Sequence, residues 1–199
     1  MQISRAAADF LPQSKERAMN QMLNPNIFTF GFPVLLAWTA AYSVYEPLTY
    51  WLIPAISESK TVQTYYDPKK IPFGVVVFGD YIYSTLLLLV AQVLITSVKG
   101  VAAPASVADW LQRFAMFVGV QWAGDLSFYN IIKRLPPSTR YIKFFQEYTS
   151  EVGVWAAIGD SLYGLFWFML TQVFASSVPT VIQIALICLF MFVTLVMSF

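Results

Sequence analysis

The stretch Val178-Pro-Thr-Val-Ile-Gln-Ile-Ala-Leu-Ile-Cys-Leu-Phe-Met-Phe-Val-Thr-Leu-Val-Met-Ser-Phe199 carries no ionisable side chain. As an α-helix rising about 1.5 Å per residue it reaches about 33 Å, enough to cross a hydrocarbon core of about 30 Å. Lipid offers no hydrogen bonds to an open backbone, so an isolated apolar run of this length reads as a spanning helix rather than a strand. It sets the fold class as all-α, a polytopic transmembrane helix bundle.

Working outward from it, Ser176, Ser177 and Pro179 make a tight connection to a preceding apolar run, 152–175, interrupted by Asp160. Three further runs have the same character. Residues 27–54 contain Glu46, residues 71–98 contain Asp80, and residues 110–132 contain Arg113 and Asp125. About five spans are therefore expected over a bundle domain of 27–199. Residues 1–26 mix charges with scattered apolar positions and lack a continuous apolar stretch with a small-residue cleavage site. They read as a flexible tail or an interfacial segment, not a secretory signal peptide.

Composition supports this class. Of 199 residues, 58% are hydrophobic and 12% charged, whereas soluble domains carry roughly 25% charged residues. The net charge of +1 supplies no basic field for nucleic acid. With no histidine and one cysteine, a His-based catalytic triad, a Cys/His zinc site and an intrachain disulfide are excluded. Phosphate loops, Rossmann glycines and serine elbows are also absent from the sequence. The chain reads as non-enzymatic, with no cofactor and no identified small-molecule substrate.

The connections carry the positive charge. Lys69 and Lys70 precede the second span, and Lys133, Arg134, Arg140 and Lys143 surround Pro136 and Pro137 after the third. Such juxtamembrane clusters suit anionic lipid head groups or partner proteins. Together with Lys60 they outnumber Arg5, Lys15, Arg17, Lys99 and Arg113 on the opposite side, which predicts that the basic side is cytoplasmic. From Tyr141 to Trp155, aromatic and apolar residues recur every three or four positions, predicting an amphipathic interfacial lead-in to the fourth span. Asp109 and Arg113 are spaced for an i,i+4 pair, and Gln121 and Gln172 for interhelical hydrogen bonds.

One pattern repeats in three spans: Gly79-Asp80-Tyr-Ile-Tyr83, Gly124-Asp125-Leu-Ser-Phe128 and Gly159-Asp160-Ser-Leu-Tyr163. Counted from the basic side, Glu46, Asp80, Asp125 and Asp160 fall at a similar depth, roughly 10–14 Å in. A charged carboxylate at the centre of a span costs about 2.5–3.5 kcal/mol on insertion scales, so these four are expected to face inward. Two readings follow. In the structural one, the glycine admits a neighbouring helix, the acid bonds to a backbone group, a hydroxyl or a snorkelling Lys or Arg, and the ring packs in the same seam. In the functional one, the layer handles protons or cations. The apolar stretches 86–90 and 165–170 on the far side of the layer argue against a through-pore.

The segment Tyr141-Ile-Lys-Phe-Phe-Gln-Glu-Tyr-Thr-Ser-Glu-Val-Gly-Val-Trp-Ala-Ala-Ile-Gly-Asp-Ser-Leu-Tyr163 resembles part of multi-span membrane proteins of large icosahedral DNA viruses. The likeness covers roughly the last third of the chain and is carried by the aromatic-basic lead-in, Glu151-Val152-Gly153 and Gly159-Asp160-Ser161. It implies a virion inner-membrane component, a minor capsid-associated protein joining that bilayer to capsid proteins, without catalytic residues. The residues leave two alternatives open: a small proton- or cation-handling transporter or channel, and an accessory subunit of an organellar membrane complex.

Overall fold

The helices begin where the chain supplies a group to satisfy a free backbone N–H. Ser59 Oγ accepts from Val62 N, Ser106 Oγ from Asp109 N and Thr139 Oγ1 from Ile142 N, each a side-chain N-cap. The first helix instead starts on Phe32 and Pro33, where proline's missing N–H costs nothing. Gly100, with φ 76°, ends one helix, and Gly153, with φ 55°, separates two others. Both have a positive φ with extended ψ, a conformation that glycine alone adopts readily.

The computed structural model describes residues 23–198. Its order is α1 Phe32–Ile56, α2 Lys60–Tyr65, α3 Phe73–Lys99, α4 Val107–Arg134, α5 Arg140–Val152, α6 Val154–Ser177 and α7 Thr180–Ser198, with no strand among the described residues. The five long helices close a ring: α1 lies between α6 and α7, α6 packs on α4, α4 on α3, and α3 on α7. The short helices α2 and α5 pack against each other, α2 following α1 and α5 lying against α4.

Three of these helices, α3, α6 and α7, are long and apolar enough to cross a membrane. The other two long helices differ in composition. α1 takes much of its length from Trp, Tyr, Thr and Pro, and α4 carries Asp109, Arg113 and Asp125.

Aromatic rings fill the ring's interior. Trp38 of α1 stacks on Trp167 of α6 with centroids 3.7 Å apart, and Phe168 sits edge-on to Trp38 and packs on Phe117 of α4. Such pairs add about 0.5–1.5 kcal/mol each beyond their burial. The indole N–H groups are satisfied: Trp38 donates to Thr85 Oγ1 at 3.1 Å and Trp167 to the Trp38 carbonyl at 2.9 Å.

Two boundaries differ from the sequence reading. The first long helix starts at Phe32, not near residue 27, and the segment before it is folded into the bundle. Ile27 and Phe28 are buried, Phe28 against Trp110 and Phe168. Polar side chains hold this plug through its backbone: Gln92 Nε2 donates to the carbonyls of Ile27 and Thr29, and Gln172 Nε2 to that of Pro25. Asn26 in turn donates to the carbonyls of Val101 and Ala102. Residues 23–26, read as the end of a tail, therefore belong to the bundle, while residues 1–22 lie outside the described residues. The lead-in to the fourth span is a helix of its own, broken from α6 at Gly153.

Candidate functional site

The four carboxylates occupy inward stripes of four different helices. Asp160 is in register with buried Gly164, Trp167 and Thr171 of α6, and Asp80 with Val77, Leu88 and Ala91 of α3. Asp125 follows Phe114, Phe117 and Gln121 of α4, and Glu46 follows Trp38 and Tyr42 of α1. Spacings of three and four residues keep each set on one helical face.

Tyrosine hydroxyls meet three of the four. Glu46, only 1% exposed, accepts at Oε2 from Tyr163 Oη of α6 and from Thr49 Oγ1 at 3.4 Å. Asp80 Oδ1 accepts from Tyr65 Oη of α2 at 2.6 Å, and Asp125 Oδ1 from Tyr83 Oη of α3 at 2.7 Å. Burial first, and then the Asp80 carboxylate, push the Tyr65 phenol well above its usual range, which keeps it a donor. Glu46 Oε1 and Asp125 Oδ2 are buried without a hydrogen-bond partner.

These bonds explain the aromatic position of the repeated string. Tyr83 and Tyr163 stand three residues after Asp80 and Asp160, but each donates to a carboxylate on a neighbouring helix. Phe128 holds the same position in α4, has no hydroxyl, and packs beside Tyr83 and Phe145. Asp160 has no hydrogen-bond partner among the described residues. The glycines of the string are not equivalent. A Cβ at Gly124 would stand 2.7 Å from Leu87 Cδ2 and 3.0 Å from Tyr83 Oη, so its absence admits the tyrosine. Gly79 and Gly159 face open space, and the close helix approach expected at all three occurs at one.

Although Asp160 lies on the inward stripe, it is exposed. It is within electrostatic reach of Asp125 and Asp80, as Glu46 is of Asp80. Tyr148 of α5 is under the influence of the same acids: burial first, then Asp160, Asp80 and Asp125, push its phenol up. Trp122 Nε1 of α4 donates to Ser161 Oγ, next to Asp160, at 2.8 Å. Past Glu46, the Trp38–Trp167 stack and the Phe28 plug fill the interior.

Basic counter-charges are not part of the arrangement. Lys69, Lys70, Lys133, Arg134, Arg140 and Lys143 are all exposed, and the ion pairs among the described residues converge on Asp109, from Lys99 at 3.4 Å and Arg113 at 3.1 Å. The Asp109–Arg113 pair has the expected i,i+4 spacing, and Arg113 Nη1 also donates to the Ala102 carbonyl at 3.0 Å. The expected Gln172 contacts are present: its Oε1 accepts from Trp110 Nε1 at 3.3 Å, in addition to the Pro25 bond. Gln121 Oε1 is buried without a hydrogen-bond partner.

Chemically, the cluster can accept hydrogen bonds and hold a proton. No group of three or more acidic, Cys or His side chains among the described residues is arranged to hold a metal ion. A hydroxyl was among the partners the sequence allowed for the acids; which tyrosine reaches which carboxylate was not legible, and Tyr65, unlike Tyr83 and Tyr163, lies outside the repeated string. No protein family, curated protein or solved structure matches the chain.

Proposed function

We propose that the chain is a five-span, multi-pass membrane protein with a non-enzymatic structural role in a larger assembly. On the resemblance carried by residues 141–163, the proposed assembly is a virion inner membrane, which the protein links to capsid proteins. One observation supports the structural role above others: Glu46, Asp80 and Asp125 are engaged as interhelical acceptors from Tyr163, Tyr65 and Tyr83. A hydroxyl-to-carboxylate bond inside a bundle specifies which helices meet and at what register. The exposed basic residues are left to meet anionic head groups or partner proteins, because none is consumed by the acids.

Gentle detergent extraction from the native source, followed by native mass spectrometry, tests this role. Co-isolation with many copies of one or more other proteins is the expected result. A clean monomer or small homo-oligomer contradicts it.

A second reading, proton or cation handling, is favoured by Asp160 alone, an exposed acid without a hydrogen-bond partner among the described residues, within reach of two other carboxylates. The aromatic filling past Glu46 weighs against a path across the bundle. An accessory subunit of an organellar membrane complex would share the structural role and differ only in its neighbours.

A further inference from the structure

α3 and α7 meet at Gly74, whose N–H donates to Ser198 Oγ at 3.1 Å. A Cβ at Gly74 would stand 2.6 Å from that oxygen, so the contact depends on glycine. Beside it runs a groove of about 750 Å³ whose walls include Val75, Phe78, Met191, Phe192 and Leu195, all exposed, with Pro72 also lining it.

Lys69 and Lys70 lie just before Pro72 in the chain, both exposed. Arg140 of α5 joins them, because its guanidinium donates to the Lys70 carbonyl. None of these three cations forms an ion pair among the described residues. Asp67, the acid of that turn, directs Oδ1 to the Lys69 N–H at 3.0 Å. An apolar channel and a basic cluster without an ion pair among the described residues, its Lys70 Nζ donating to Thr64 Oγ1 at 3.3 Å, therefore adjoin at Pro72.

We propose that this groove is a binding site for one anionic phospholipid, an acyl chain lying between α3 and α7 and the phosphate among Lys69, Lys70 and Arg140. The inference rests on the membrane-spanning reading of α3 and α7 and adds a ligand class to it. Inside a bilayer an apolar groove gains little from hydrophobicity, since its alternative contacts are also lipid tails. Selectivity must come from the head group, where each lysine near the surface favours an anionic lipid. The groove supplies position and the cluster supplies choice.

Native mass spectrometry of the full chain in mild detergent, with equal phosphatidylglycerol and phosphatidylcholine added, tests the site. One phosphatidylglycerol is expected to survive on the protein in preference to phosphatidylcholine. The pair Lys69→Gln and Lys70→Gln lowers that retention about thirtyfold, with Arg140 kept because it also holds the Lys70 carbonyl. Leu195→Trp, which fills the groove and leaves the lysines intact, lowers it as well. If the double variant fails to fold, the wild-type lipid preference and Leu195→Trp still decide. Equal retention of the two lipids, or retention unchanged by every folded variant, overturns the proposal. Binding of free glycerol phosphate as tight as that of the lipid overturns the acyl-chain part. Alkaline carbonate extraction separates the two levels of failure: release of the chain by carbonate defeats the membrane reading itself, whereas a carbonate-resistant chain without lipid preference defeats this site only.

Discussion

Tyr163 of α6 donates its hydroxyl to Glu46 of α1, a residue 117 positions away in the chain. The acid is buried and its other oxygen has no partner, so this bond and the weaker one from Thr49 are its solvation. Tyr163→Phe removes the main donor and leaves the acceptor in place. A buried acceptor deprived of its partner costs about 1–3 kcal/mol. The expected outcome is a lower thermal midpoint in detergent, with Glu46→Gln and Tyr163→Phe non-additive in a double-mutant cycle. Additive effects would show that the two side chains do not act as a pair.

The three glycines of the repeat are predicted to differ. Gly124→Ala places a methyl group against Leu87 and Tyr83 and is expected to cost about 1–3 kcal/mol, as overpacking does. Gly79→Ala and Gly159→Ala meet open space and are expected to be neutral or to stabilise by up to about 1 kcal/mol through helix propensity. Chemical or thermal unfolding of the three variants in one detergent checks the order. A Gly124→Ala variant as stable as Gly159→Ala would contradict the Tyr83 approach to Asp125.

The α7 helix was legible because Val178 to Phe199 offers no charge, and the Arg113–Asp109 pair because i,i+4 spacing is local. The cost of facing lipid predicts an inward position for every acid; Glu46 is buried, Asp80 and Asp125 are partly buried, and Asp160 is exposed. What each acid bonds to was not legible. A lysine or arginine donor was as plausible as a tyrosine, and only the packing of α6 on α1 brings Tyr163 to Glu46. Helix α2 was hidden for a different reason: six residues are too few for a hydrophobic period, although Ser59 was a visible cap. The segment around Phe28 read as the edge of a span because Asn24, Pro25 and Asn26 are turn formers. Its burial depends on Gln92 and Gln172, which are distant in sequence.

The plug is predicted to be structural. Phe28 is fully buried against Trp110 and Phe168, and Phe28→Ala is expected to cost about 3–5 kcal/mol. Gln92→Leu, which strips the donors from Ile27 and Thr29, should increase hydrogen exchange at residues 25–31 while α7 is unaffected. Uniform exchange across the two regions would contradict a locally held plug.

A pH dependence is expected where α5 meets α2. The Ser59 hydroxyl, together with Thr61 and the Lys60 backbone N–H, holds the Glu151 carboxyl below its usual value. A depressed folded pKa means that the contact contributes stability above the unfolded value, about 4.3 for glutamate, and loses it as pH falls through the lower folded value. Protection of the Lys60 and Thr61 amides, taken as intrinsic over observed exchange rate, should fall below about pH 4, and Glu151→Gln should remove that dependence. An unchanged profile in the variant would assign the acid sensitivity elsewhere.

The proposed structural role requires that the carboxylate layer join helices without forming part of a conducting path. Proteoliposomes holding the full chain at known density, with an imposed pH gradient, separate the two possibilities. The gradient should decay no faster than in empty vesicles, for wild type and for Asp160→Asn alike. Rapid dissipation by wild type that Asp160→Asn abolishes would overturn the structural role.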